Sequence, residues 1–405
     1  METPSDSSVS TVPGGGLRTP LDELDVASLR RRTSLKWRQY GDDVLPLWVA
    51  EMDVRQCDAV RSVLVDAVEA GDTGYPHGQG YQQALSDFAS DRWGWDFPPT
   101  RSRLVADVMT GVAEVVKVVT APGDPVVVTP PVYGPFFDFV TATGRRIVHA
   151  PLAEDHRFDL DRLDAAFREA AATAERAAAF LLCNPHNPTG VAWSRDELTA
   201  VARIATRHGV RVVADEIHGP LTMPGTSFTS WLTVEGGQDG LVVTSASKSW
   251  NLAGLKAAVV VAGEDAVEDL RRLPRVVAHG PSHLGILAHT AALTAGRDWL
   301  DAVVAGIDRN HRLLGELVAE RLPDVTCRRA EATYLAWLDF RRAGLGRDPA
   351  RALRGPARVV LSDGLFFGPG GEGFARMNVA TSAAIVEQAV DRIAGALDVA
   401  RQAPG

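Results

Sequence analysis

The segment SASKSWNLAGLK, Ser245 to Lys256, holds two of the four lysines in the chain; the others are Lys36 and Lys117, and nearly every other cation is arginine. A guanidinium keeps its proton, whereas a lysine among apolar walls or beside a second cation can lose it. Lys248 therefore reads as an amine able to bond an aldehyde, with Lys256 as the neighbouring charge. Two other polar groups belong with it, Asp215 in ADEIH and Asn187 in CNPHNPTG. A carboxylate at Asp215 suits a protonated ring nitrogen, and the amide of Asn187 suits donation to a phenolic oxygen. Ser245, Ser247 and Lys256 offer the hydroxyl and cationic contacts that a phosphate takes.

Each of these groups follows a short apolar run that reads as a buried strand: Ala179 to Leu182 before Asn187, Val210 to Ala214 at Asp215, and Leu241 to Val243 before Lys248. Pro125 to Val128 and Ala257 to Ala262 are runs of the same kind. Between several of them lie Ala-rich amphipathic segments, Asp159 to Arg176 and Ser194 to Arg207, each opening on an N-cap residue. The alternation predicts an α/β fold whose mostly parallel sheet is covered by helices on both faces and collects ligands at the carboxyl ends of its strands. After Gly296 the rhythm changes to a long helix, Arg297 to Arg321, then Tyr334 to Leu338, Phe374 to Ala380 and a closing helix, Ser382 to Val399. The expected division is a flexible leader (1–20), an N-terminal segment packing on the small domain (21–54), a cofactor-binding large domain (55–296) and a small α+β C-terminal domain (297–405).

An imine-forming lysine, an acidic partner for a ring nitrogen and a phosphate cup are together the needs of pyridoxal 5′-phosphate. The set NPHNPTG, ADEIH, SASKSWNLAGLK and FARMNVATS resembles the fold-type-I, class I/II aminotransferase superfamily of pyridoxal-phosphate enzymes. Within it, LPLWVAEMD, GYPHGQGY, DEIH and TYLAWLD resemble the MalY/PatB-type cystathionine β-lyases, or carbon–sulfur lyases, and the likeness runs from about Ser34 to the C-terminal helix. The resemblance implies a three-layer αβα large domain with a mostly parallel seven-stranded sheet, plus a smaller α+β domain. It also implies that Lys248 bonds the cofactor and later removes the substrate α-proton, that Asp215 pairs with the pyridinium nitrogen, and that Asn187 meets the ring hydroxyl. Tyr133, in PPVYGPF, would stack on the ring. Gly111, Val112 and Ala113, in MTGVAEVV, would present backbone N–H groups to the phosphate at a helix start. Ser245, Ser247 and Lys256 would complete the cup, and Tyr75 would reach it from the neighbouring subunit. Arg376 would hold the α-carboxylate as a fork, with Trp48, Ala50 and Asn187 beside the substrate. His218 stands where many aminotransferases carry tyrosine; DEIH is the lyase form, and a structural hydrogen bond near the cofactor is its expected role.

The net charge of −9 gives no basic footprint for nucleic acid, and Arg30, Arg31 and Arg32 read as a solvated helix face. Cys57, Cys183 and Cys327 form no CxxC pair, and HGPSH, with Pro and Gly inside it, cannot be a helical metal-ligand pair. GPGGEG reads as a turn, GQGYQQA is not a dinucleotide fingerprint, and Lys117 reads as a snorkelling side chain. The Ser/Thr/Pro/Gly-rich leader lacks the features of a signal peptide, and no apolar run is long enough to span a membrane, so a cytoplasmic enzyme is expected. The pocket walls are expected from Trp48, Tyr133, Trp250 and a loop over His279 to His289. The function these features predict is α,β-elimination of L-cystathionine or a cysteine S-conjugate to thiol, pyruvate and ammonia, by a homodimer with shared active sites. The alternatives are an aminotransferase of the same superfamily and a non-catalytic regulator on the same fold.

Overall fold

The computed structural model describes residues 19–402. Seven strands form the main sheet: β1 Ser102–Val105, β2 Pro125–Val128, β3 Arg146–His149, β4 Ala179–Cys183, β5 Arg211–Asp215, β6 Leu241–Thr244 and β7 Ala258–Ala262. Their order is β1-β7-β6-β5-β4-β2-β3, and β7 alone runs antiparallel to its neighbours. Successive side chains on a strand face opposite ways, so a strand covered on both sides must be apolar throughout. Val126 and Val128 accordingly enter one core, with Val112 and Val115 of the helix Val108–Val119. Val127 enters the other, with Phe167 of the helix Leu160–Thr173 and Val201 of the helix Arg195–His208. That last helix opens on a capping box of Ser194 and Glu197 and stops at Gly209, whose φ of 66° is the left-handed conformation glycine adopts freely.

β1 and β3 were not among the runs read from the sequence. Both lie at the sheet edges, where one side meets solvent, and Ser102, Arg103, Arg146 and His149 interrupt the apolar signature.

A second, antiparallel sheet follows the long helix Arg297–Arg321: β8 Thr326–Cys327, β9 Leu335–Asp339, β10 Ser362–Asp363 and β11 Phe374–Asn378, in the order β10-β11-β9-β8. The chain closes on the helix Ala383–Gln402. The N-terminal segment is tied to this part, because Leu45–Pro46 pairs in parallel with Val359–Val360. Of the expected leader, residues 1–18 lie outside the described residues. Thr19 and Pro20 are buried and begin the short turn Pro20–Asp22.

The arginine run is solvated only at Arg31. Arg30 donates to the carbonyls of Gly41 and Val44, and Arg32 to those of Met52 and Val54, which fastens the chain ahead of the site. Lys36 and Asp53 form a buried ion pair of 2.8 Å in the same place, and the Trp37 indole N–H donates to Asp53 at 2.7 Å. Among the described residues no helix is long and apolar enough to cross a membrane, and no cluster of His, Cys, Asp and Glu could hold a metal ion.

Candidate active site

The carboxyl ends of β4, β5 and β6 open into a cavity of about 510 Å³ between the two sheets. Asp215 is the last residue of β5, Asn187 lies in the turn after β4, and Lys248 in the turn after β6. Lys248, Asp215, Asn187, Tyr133, His218 and Arg376 all line this one space. Residues scattered over more than 240 positions meet here because parallel strands deliver their carboxyl ends to one rim.

The Lys248 amine donates to the Ala50 carbonyl at 3.1 Å and, among the described residues, has no carboxylate in ion-pair range. Burial, and secondly the charge of Arg376, bring its pKa down to about 8. The same carbonyl accepts the hydroxyl of Tyr334, a fully buried residue, at 3.0 Å. Asp215 accepts the Ile217 N–H at 3.1 Å and forms no ion pair, so burial raises its carboxyl to about 7. Burial also pushes the Tyr133 hydroxyl up to about 12, with Asp215 adding to the effect.

Arg376, on β11, donates to the Asn187 amide oxygen at 2.9 Å, to the Trp48 carbonyl at 3.0 Å and to the Ser362 hydroxyl at 3.1 Å. Its Nε is buried without a partner. Since the Asn187 oxygen faces Arg376, its NH₂ group is left to donate into the cavity. His218 is held neutral: burial, then Lys248 and Arg376, lower its pKa to about 3. Its Nδ1 has no partner, and its ring meets Tyr334 edge-on at 6.2 Å.

The phosphate end differs from the sequence reading. Gly111, Val112 and Ala113 lie inside the helix Val108–Val119, and the Gly111 N–H already donates to the Asp107 carbonyl at 2.9 Å. A side chain at Gly111 would come within 2.8 Å of Val105 and Val243, so this glycine serves helix-on-sheet packing. The helix starts three residues earlier because Asp107 caps it, its Oδ1 accepting the Thr110 N–H at 2.8 Å. The N–H groups left without an intrahelical partner are those of Val108 and Met109, both at the cavity wall. An N-cap rule applied to Asp107 would have found them.

Lys256 stands at this end as expected, though its amine is engaged with Asp107 at 2.8 Å and is more than half exposed. Ser247 lines the same recess. Ser245 is buried, donates to the Ala257 carbonyl at 2.7 Å and accepts the Ser247 N–H at 3.1 Å. Tyr75 is 96% exposed and not on the cavity wall of its own chain. Trp250 is not a wall either: it is fully buried and donates to the Gly296 carbonyl. Nor is there a His279 to His289 loop at the mouth. His283–Ala295 is a helix, and His289 is buried against the Tyr81 hydroxyl and the Leu255 carbonyl. Lys117 pairs with Glu114 on the surface, in keeping with a solvated role.

These residues fit pyridoxal phosphate. A buried carboxylate without a cation suits a pyridinium N–H, a desolvated amine suits the aldehyde, and an open helix N-terminus beside Lys256 suits the phosphate.

The chain matches the model of the aminotransferase class I and II family over residues 42–393. It is 49% identical over 399 residues to a provisionally named cystathionine β-lyase of Mycobacterium tuberculosis, covering 93% of this chain and 98% of that one. Among solved structures it is similar to a provisionally named pyridoxal-phosphate-dependent β-cystathionase of Corynebacterium diphtheriae, with a TM-score of 0.87, 34% identity and coverage of 95% and 99%. It is also similar to cystalysin of Treponema denticola, whose structure contains pyridoxal 5′-phosphate, with a TM-score of 0.84, 27% identity and coverage of 92% and 97%. The converging strand ends, the free Lys248 amine and these likenesses agree: the chain belongs to the class I and II aminotransferase family and, within it, to the pyridoxal-phosphate-dependent carbon–sulfur β-lyases.

Proposed function

We propose that this enzyme removes the thiol from L-cystathionine or a related cysteine S-conjugate by α,β-elimination, giving thiol, pyruvate and ammonia with uptake of one water. The observation that carries this reading is the Lys248 amine, desolvated to a pKa of about 8 and without an ion pair among the described residues, on the wall of the same cavity as Asp215 and Arg376. Pyridoxal phosphate, when bound, supplies an aldehyde and an electron sink conjugated to the substrate α-carbon.

The protein does the rest. Arg376, with Nε still unpartnered, takes the substrate α-carboxylate and so fixes which α-bond faces Lys248. The Lys248 amine accepts the α-proton as general base. Asp215 holds the proton on the ring nitrogen, and the Asn187 NH₂ donates to the ring oxygen. The Val108 and Met109 N–H groups and Lys256 bind the phosphate. Tyr133, at the same wall, provides an aromatic face for the ring.

Tyr75, exposed on its own chain, is assigned to the phosphate cup of a second subunit, and the enzyme is read as a homodimer acting in the cytoplasm. The test is incubation of the purified holoenzyme with L-cystathionine and no keto acid. Pyruvate and free thiol in equal amounts are expected. Turnover only when a keto acid is added would replace elimination with amino transfer.

A further inference from the structure

The α-end of any amino-acid substrate uses Lys248 and Arg376, and Asp215 serves the cofactor ring. Two charged side chains on the cavity wall are then left without an assignment, Arg354 and Asp363. Arg354 ends the helix Pro349–Arg354, and its guanidinium lies 5.5 Å from the Tyr40 ring centroid. Tyr40 in turn meets Trp48 edge-on at 5.7 Å, so an aromatic pair props the cation at the rim of the substrate space. Arg354 forms no ion pair among the described residues. Asp363 directly follows Ser362, the hydroxyl that touches Arg376. One oxygen of Asp363 accepts the Leu365 N–H at 2.9 Å, and the other has no hydrogen-bond partner among the described residues.

The two charges lie beyond ion-pair distance of one another yet interact: burial and Asp348 hold the Asp363 carboxyl above its ordinary range while Arg354 opposes them. An opposed anion and cation that do not satisfy each other, set around a cavity with aromatic walls, complement a ligand bearing both signs at one end. A simple S-alkyl chain would leave both unused, and an acidic side chain would meet the Asp363 carboxylate.

We propose that Arg354 and Asp363 form a subsite for the far end of the substrate, Arg354 taking the carboxylate and Asp363 the ammonium of a second amino-acid group carried on the departing sulfur. These two residues would then be what makes the enzyme prefer L-cystathionine to a simple S-alkyl cysteine. This proposal rests on the elimination reading for the bond that breaks.

The experiment compares L-cystathionine with S-propyl-L-cysteine, which keeps the thioether and lacks the distal amino and carboxyl groups. The holoenzymes are the wild type, Arg354→Met, which keeps the stem over Tyr40, and Asp363→Asn, which keeps the oxygen that caps Leu365. Binding is read from the change in cofactor absorbance, and turnover from pyruvate.

Each substitution is expected to weaken binding and kcat/KM for L-cystathionine by about 10- to 100-fold, chiefly through KM, the range for loss of a charge-assisted contact. S-propyl-L-cysteine should change by no more than about twofold. Equal losses with both ligands would make the two residues structural and overturn the subsite, as would no loss with either. If no enzyme forms pyruvate from either compound, the elimination reading fails. The absorbance titration then still decides the subsite, by whether the preference for L-cystathionine exists and vanishes in the variants.

Discussion

The protein withdraws two lysines from bulk water, Lys36 into the core and Lys248 onto the cavity wall, and they face opposite surroundings. Lys36 is fully enclosed, 2.8 Å from the Asp53 carboxylate and 3.0 Å from the Glu51 carbonyl, so its charge is matched and two of its three N–H donors have acceptors. Lys248 has a single acceptor, the Ala50 carbonyl, and a cation rather than an anion as its main charged influence after burial. A buried charge that is paired acts as a strut, while one left unpaired shifts its proton equilibrium and becomes reactive. The two are linked through the segment between them. Lys36 and Asp53 anchor the residues 50–53 whose Ala50 carbonyl receives the Lys248 amine. One lysine builds the wall against which the other works.

The sharpest way to break this contrast is to exchange the consequences. Lys248→Ala should reduce elimination at least about 10⁴-fold while leaving thermal unfolding of the cofactor-free protein no earlier than wild type, since the Ala50 carbonyl it releases still accepts the Tyr334 hydroxyl. Pyruvate release and a thermal melt measure both. A clear fall in melting temperature would mean Lys248 is a strut after all.

Lys36→Met should do the reverse, costing about 3 kcal/mol of stability because the buried Asp53 loses its close cation and keeps only Arg32 at 3.9 Å. Denaturant titration reads this, and the double substitution Lys36→Met with Asp53→Leu should recover part of it. Full stability in the single variant would remove the strut.

A smaller effect tests the proton equilibrium itself. The Lys248 pKa is depressed to about 8, so the ammonium form predominates below that pH and the reactive free amine above it. Capture of pyridoxal phosphate by cofactor-free enzyme, followed by absorbance, should slow about tenfold per pH unit below 8 and level off above it. A flat profile from pH 6 to 9 would contradict the desolvated amine. Smallest of all, Lys256→Arg should weaken cofactor binding by roughly two- to fivefold, because an arginine keeps the charge opposite Asp107 but changes its shape. Fluorescence titration with pyridoxal phosphate measures it.

The central strands were legible because a strand buried on both faces must be apolar throughout, so Pro125–Val128 stands in the sequence with the limits it has in the fold. The long helix Arg297–Arg321 was equally plain, since its apolar face repeats over 25 residues. Lys248, Asp215 and Asn187 could be picked out because each follows such a strand. The start of the helix Val108–Val119 was read three residues late, because Gly111 drew attention as a backbone approach point while the capping Asp107 went unweighed. Tyr334, whose hydroxyl reaches the Ala50 carbonyl, carried no local signal, as 284 positions separate the two residues.

The sequence by itself determined which residue types stand at the strand ends: an amine, a carboxylate and an amide, each after an apolar run that could only be buried. Chain-local physics suffices for that, because burial periodicity and capping act over a few residues. Only the tertiary structure decided how those groups are charged and who their partners are. Lys36 and Lys248 are the same residue type, each preceded by serine or leucine and followed within two positions by tryptophan, and Asp53 stands beside one and not the other solely because of how distant segments pack. A proton equilibrium depends on every charge and dipole within several ångströms, and those neighbours are set by the fold.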